Sequence, residues 1–428
     1  MSAPAAAAAA DAPELPLDAL DLDAGEVRER FARARRAGHP AWLWPEVAVD
    51  AWRDALRAVE AATRGVLCGG ATPRLDGDPG ALGVAAYTSG MGPLLGWWVE
   101  HGVLEASPGA AALLRLHLRH NRLRMERLGR AAAEAAARLA EEGVVPTVLK
   151  GMHTAHAYFP EPGTRPVSDV DLLVAPAELA AAGVALRRAG YAPGPAQRRP
   201  YKCDWTPAGG GGAPRSLALT HAEDPFTLDV HASLDRNFFG VATARLDRVA
   251  QTSAAAAWGA DPRARVPGQP LLVLLLATHA SEGFHGLTLI RLVELVRVIR
   301  QDTAGGALAW DELVRAARTA GALRFAWPAL ELAERLAPGT VPEAVLARFA
   351  AEATPAMRRV LARSSPATAQ RLDRMSLEER MMWAGTPWER ARRLAHAVWP
   401  APAGRSPVEL GRIYGRRAWR LLRGRVER

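Results

Sequence analysis

Lysine is almost missing from this chain: of its 54 basic residues only Lys150 and Lys202 are lysines, and the rest are arginines. Where arginine is the default, a lysine is a position to look at twice. Cysteine is as scarce, with Cys68 and Cys203 alone. Two such distant residues make neither a disulfide framework nor a cysteine metal site, so a reducing compartment is expected. Aromatic residues amount to 6%, which leaves most of the packing to Leu, Val and Ala. Long apolar runs are missing too. The longest, Pro270 to Ala277, falls far short of the roughly 20 residues that a membrane span needs. The start, Met-Ser-Ala-Pro followed by an alanine run, lacks the basic and leucine-rich regions of a signal peptide. A cytoplasmic location is therefore expected.

What the chain does have is 428 residues with 49% hydrophobic content, enough for a core and for about two or three structural units. The net charge of +9 is unevenly placed. From Arg390 to Arg428 there are eleven arginines against two glutamates, +9 for that stretch alone. The remainder is close to neutral, which argues against a protein that coats nucleic acid and for a basic C-terminal tail.

Residues 1–40, which open on an Ala/Pro/Asp-rich stretch, are expected to be disordered. Residues 41–142 are expected to be helical. Their clearest helix runs from Ser107, an N-cap followed by Pro108, to Glu142; its arginines at 115, 119, 122, 124, 127 and 130 are expected to form a solvated face. Between 143 and 260 the periodicity changes. Val144 to Leu149 is strand-like, Gly151 to Phe159 helical, Val170 to Val174 a second strand and Pro176 to Ala189 a helix. Ser216–His221 and Phe226–His231 are expected to form a hairpin. Residues 261–400 return to helical spacing, with helices over Leu271–Ala280, Leu287–Arg300, Trp310–Ala320 and Ala322–Leu336. Residues 401–428 have the pattern of a basic amphipathic helix. The fold class is α+β: a small mixed β-sheet core with helices, flanked by N- and C-terminal helical regions.

Asp169 and Asp171 lie in the stretch Arg165-Pro-Val-Ser-Asp-Val-Asp-Leu-Leu-Val174. Carboxylates at i and i+2 on a strand share one side of the sheet. Like charges held together repel, and a divalent cation removes that cost. An isolated Asp-x-Asp is better explained by a carboxylate capping a turn. Asp229, in Phe226-Thr-Leu-Asp-Val-His231, is an acid inside a second strand-like run. It marks either an edge or bulge, or the third carboxylate of a site for two metals. Leu149-Lys150-Gly151 stands where a strand gives way to a helix. There a glycine lets phosphate approach the backbone, helix N–H groups are free, and Lys150 can add a charge. His231 shares the face of Asp229 and either orients the acidic site or fills the sheet surface. His279 and His285 flank Glu282 at a helix end, where a cap or a buried hydrogen-bonded role competes with contact to substrate.

The order Leu-Lys-Gly, helix, Arg-x-x-x-Asp-x-Asp-Leu-Leu-Val, then Leu-Asp-Val-His resembles the poorly characterised bacterial nucleotidyltransferase family of the polymerase-β superfamily. The resemblance spans about residues 107–240, with a looser match in the helices beyond. It implies that Asp169 and Asp171 bind both metals, that Asp229 binds the metal activating the acceptor, and that Gly151 lies against the triphosphate. Arg165 occupies the place of the family's arginine ahead of the acidic pair. The superfamily's phosphate turn usually has Gly followed by Ser. Here it is Gly151-Met152-His153-Thr154, with Thr154 as the substitute hydroxyl. The next helix commonly has Asp near the position of Glu294. The implied function is transfer of a nucleoside monophosphate from an NTP to a small-molecule, peptide or protein acceptor, with two Mg²⁺ ions and release of pyrophosphate. Alternatives are a catalytically inactive nucleotide- or partner-binding protein that keeps the fold, and an RNA-modifying transferase that uses the basic tail.

Overall fold

Val170 and Leu172 flank Asp171, and Leu228 and Val230 flank Asp229, which commits one face of two short strands to a core. The computed structural model builds a sheet on that pattern. It describes residues 14–428 except 195–201, 211, 239–241, 285, 368–375, 399–407, 410, 413–414 and 416–428. The strands are β1 (Arg74–Leu75), β2 (Glu105–Ala106), β3 (Thr147–Val148), β4 (Val170–Leu173), β5 (Tyr191–Pro193), β6 (Lys202–Pro207), β7 (Leu228–His231), β8 (Arg236–Phe238), β9 (Ala242–Ala244), β10 (Ala255–Trp258) and β11 (Asp261–Pro267). Seven of them form one mixed sheet in the order β10-β11-β3-β4-β7-β6-β5, while β1-β2 and β8-β9 are separate pairs.

Ahead of the sheet come α1 (Ala24–Ala37), α2 (Val49–Cys68), α3 (Pro79–Thr88), α4 (Gly92–Glu100) and the long α5 (Pro108–Glu141). Within it lie α6 (Lys150–Tyr158), α7 (Leu179–Arg188) and the short α8 (Asp247–Ala250). After it come α9 (Leu271–Glu282), α10 (Leu289–Ala304), α11 (Trp310–Thr319) and α12 (Leu323–Leu336), at the positions where helical spacing placed them, and shorter helices follow. The fold is thus α+β with a mixed sheet and many helices.

Two apolar cores hold it. One is built on the buried face of the sheet with α7 and the C-terminal half of α5 (Met125, Leu128, Ala132, Leu139). The other joins α2, α3, α4 and the start of α5 to α9 through α12. The N- and C-terminal helical regions therefore share a core, and α5 is common to both cores.

Three expectations need correction. Within residues 1–40, residues 1–13 lie outside the described structure, but Ala24–Ala37 is a helix. Asp23 caps it through bonds from the N–H groups of Gly25 and Glu26, at 2.7 and 3.0 Å, and Gly38 ends it in the left-handed region at φ 69°. Val27 is fully buried, and Arg30 joins Glu26 to Glu46. Second, Ser216–His221 forms no strand, and β7 pairs instead with β6 antiparallel and with β4 parallel. Backbone groups in and beside 216–221 are taken up by side chains: Asp224 accepts from the Arg215 and His221 N–H groups, at 2.9 Å each, and Trp44 donates to the Leu217 carbonyl at 2.6 Å. Such bonds compete with a ladder. Third, Ser107 takes the N-cap position of α5, but its side chain makes no capping bond. Most of the tail 401–428 lies outside the described residues; residues 408, 409, 411, 412 and 415 are helical.

Candidate functional site

Strands β4 and β7 run parallel with Asp171 opposite Asp229 and Leu173 opposite His231. Because Val170, Leu172, Leu228 and Val230 enter the core, the period of two turns Asp171, Asp229 and His231 to the other face. Strand β6 adds to that face, with Lys202 opposite His231 and Asp204 opposite Asp229, while Trp205 goes to the core.

Asp171, 7% exposed, accepts on Oδ1 from Lys150 Nζ at 2.6 Å and from His231 Nε2 at 2.7 Å. Burial works against its ionisation. The Lys150 ammonium and the His231 bond outweigh burial and hold the carboxyl below its ordinary range. Burial pushes Lys150 and His231 down in turn. Asp229, 3% exposed, accepts from Lys202 and from Thr227 Oγ1. Here burial dominates, the Lys202 bond opposes it, and the negative charges of Asp169 and Asp171 add to it. The carboxyl is pushed up to about 7. Both lysines of the chain are therefore on the acidic cluster, one per buried carboxylate.

Asp169 lies immediately before β4, is partly exposed, and takes a bond from Ser168 Oγ at 3.0 Å. Among the described residues, Asp171, Asp229 and His231 each offer a ligand atom within 4.8 Å of the others, and Asp169 is not in that group. The expected trio is thus brought to one place only in part: two of its carboxylates converge with His231, and Asp169 stands at the rim. Two carboxylates suit a hard divalent cation such as Mg²⁺ or Mn²⁺, and the imidazole widens the choice to softer ones such as Zn²⁺ or Fe²⁺. His231 Nε2 cannot donate to Asp171 and ligate a metal at once.

The turn expected to meet phosphate lies at the β3–α6 junction. Leu149 N–H bonds the Asp171 carbonyl at 3.0 Å, after which Lys150 takes φ 45°, the one non-glycine residue with positive φ among those described. That conformation costs roughly 1–2 kcal/mol and is held by its surroundings. Gly151 follows at the start of α6; a Cβ there would fall 3.1 Å from Val167 Cγ2 and 3.4 Å from Arg165 Cζ. Arg165 is bound to Glu294 at 2.8 Å. Thr154 is fully buried and bonds Glu294 and the Lys150 carbonyl. Glu294 thus braces α6 and Arg165.

A cleft of about 480 Å³ runs along this turn. Lys150, Gly151, Arg165, Asp169 and Asp171 line it, and Thr154 does not. Its other walls include Tyr87, Val167 and Ile290. His279 also lines it, and burial drives its basicity well down; His285 lies outside the described residues.

Several residues escaped the sequence reading. Arg124, 2% exposed, is no part of a solvated face. It donates to the carbonyls of Val167 and Ser168 at 2.9 and 3.0 Å, and of Asp224 and Pro225 at 2.7 and 3.3 Å. One guanidinium thereby fixes the segments leading into both acidic strands. Arg127 adds bonds to the carbonyls of Ala222 and Asp224. Nothing in the sequence separates these two from the other arginines of α5. For Lys202 a signal existed, namely the rarity of lysine.

A family model described as "Uncharacterised nucleotidyltransferase" matches residues 84–338. No curated protein and no solved structure matches the chain.

Proposed function

We propose, from the premise that the chain belongs to the family of uncharacterised nucleotidyltransferases, that it moves a nucleoside monophosphate from an NTP to an acceptor hydroxyl at a polymerase-β-like site. The observation that carries this reading is the in-register pairing of Asp171 with Asp229 on parallel strands, with Asp169 beside them and a cationic cleft along the phosphate turn. Lys150 and Arg165 line that cleft with the first turn of α6 and supply charge and N–H groups for a triphosphate. Tyr87, Val167 and Ile290 give apolar contact for ribose and base. His231 and Lys150 hold Asp171 in place. Asp229, poised near neutrality, accepts the hydroxyl proton of the acceptor. The acceptor oxygen bonds the α-phosphorus as the bond from that phosphorus to pyrophosphate breaks. Two Mg²⁺ ions on Asp169, Asp171 and Asp229 would neutralise charge on the reacting oxygens.

The test uses Asp169, which has no ion pair among the described residues, so that Asp169→Asn removes charge without stranding a buried cation. Metal-dependent pyrophosphate release should fall by about 10²–10³-fold with an unchanged melting temperature. Retained turnover in that variant would sink the mechanism. A second reading has its own support: Lys150 and Lys202 already neutralise the buried carboxylates, and Thr154 is turned to Glu294. On that reading the protein binds nucleotide or a partner without turnover, and the wild type would bind NTP yet release no pyrophosphate.

A further inference from the structure

A second chamber of about 210 Å³ joins the cleft at Lys150, Asp169, Asp171, His279 and Arg291. Lys202, Asp229, Asp235, Arg236 and Glu282 line it, and none of them lines the first cleft. Asp229 lines this chamber and not the cleft, so on the nucleotidyltransferase reading it is where an activated hydroxyl must lie. The walls are charged groups of both signs, which an apolar ligand would leave desolvated and unpaired.

Two of the cations have charge to spare. Arg236, with 15% of its side chain exposed, meets Glu282 at 3.3 Å, a long contact for an ion pair, and its Nε is buried without a partner among the described residues. Arg291 lines both spaces and makes no side-chain hydrogen bond or ion pair among the described residues; burial weighs on its charge most, Arg165 and Arg236 repel it, and Glu294 and Asp169 attract it from a distance. Like charges held at a cavity wall with donors unused are relieved by an anion. The wall is stiff as well: Ser233 donates to Asp247 Oδ2 at 2.6 Å, Leu234 N–H to Asp247 Oδ1 at 2.7 Å, and Asp247 N–H to Asp235 Oδ1 at 3.0 Å. Arg236 follows directly on this knot, so its stem is fixed before any ligand arrives.

Size narrows the ligand further. Pockets for drug-sized molecules run to about 300–1,000 Å³, whereas single-stranded nucleic acids need a groove along the backbone and peptides an edge or a groove.

We propose that this chamber is the acceptor site and takes a small hydroxyl-bearing molecule with a phosphate or carboxylate group, held by Arg236 and Arg291. The inference rests on the nucleotidyltransferase reading and narrows its acceptor from the wider set of small molecules, peptides and proteins.

The full chain is loaded with Mg²⁺ and α,β-methylene ATP, which cannot release pyrophosphate, and titrated calorimetrically. Glycerol 3-phosphate, 3-phosphoglycerate and glucose 6-phosphate are compared with glycerol and glucose. At least one anion should bind one to one and about tenfold or more tighter than its neutral counterpart. Arg236→Gln should erase that preference, Arg236→Lys should keep part of it, and both should bind the ATP analogue within about twofold of the wild type. Equal binding of anions and neutral parents overturns the proposal. So does a preference that survives Arg236→Gln in a protein of unchanged melting temperature. Loss of the ATP analogue in Arg236→Gln overturns it too, since that arginine would then serve the triphosphate. If the wild type binds no analogue, the nucleotidyltransferase reading fails separately, and the anion-against-neutral comparison in nucleotide-free protein still decides what the chamber takes.

Discussion

Asp171 is held between Lys150 and His231 with almost no exposure, so its replacement has two consequences that pull apart. Asp171→Asn removes the charge that a metal needs, and it also leaves the buried Lys150 ammonium without its partner. Unlike Asp169→Asn, it should lower stability by about 3 kcal/mol in urea titrations besides ending turnover. Thr154 makes the opposite case. Its hydroxyl is spent on Glu294 and the Lys150 carbonyl, so Thr154→Val should cost about 1 kcal/mol of stability and leave the KM for NTP unchanged. A several-fold rise in KM would return Thr154 to the phosphate site. Asp229 brings in pH. Its pKa of about 7 in the folded protein stands against 3.8 without the fold, so between these values the folded, metal-free chain keeps a proton that the unfolded chain has lost. Stability owed to Asp229 is therefore present below about pH 4 and declines as the pH rises towards 7. Unfolding free energies of wild type and Asp229→Asn in EDTA should diverge over that range by on the order of 2 kcal/mol in favour of the variant, solvent screening allowed for. A pH-independent difference would show that Asp229 titrates normally.

At the scale of elements, α5 and the strands show what a sequence discloses and what it hides. The apolar run Val170–Val174 and the strand-like run Phe226–His231 disclosed β4 and β7, because one face of each enters a core. Their parallel pairing was hidden, since neighbours in space leave no local mark, and the run Ser216–His221 resembled a partner better than the true one, β6. Lys150 and Gly151 were legible from composition and position at a strand-to-helix turn. Arg124 was not, because an arginine on a helix looks the same whether it meets water or four carbonyls. The arrangement makes it testable: Arg124→Lys keeps the charge but cannot span both segments, and should cost about 2–4 kcal/mol in thermal or urea unfolding. An unchanged melting temperature would mean that the two acidic strands are fixed without it.

For the whole molecule the decisive fact is that α5 belongs to two cores. The sheet core draws Met125, Leu128 and Leu139 from it, so residues 143–260 expressed alone should show no cooperative urea transition by far-UV circular dichroism, whereas the full chain should show one. A cooperative transition in the fragment would mean that the sheet carries its own core. The scarcity of lysine has a consequence at this scale too. Lys150 and Lys202 are the chain's two side-chain primary amines, and both sit on the buried carboxylates. An amine-directed reagent thus has the chain's α-amino group and the lysines of the acidic cluster as its targets. Labelling becomes an assay of occupancy: whatever fills the space beside these two amines shields them from acylation, and a smaller mass shift on the intact protein reports that the space is filled.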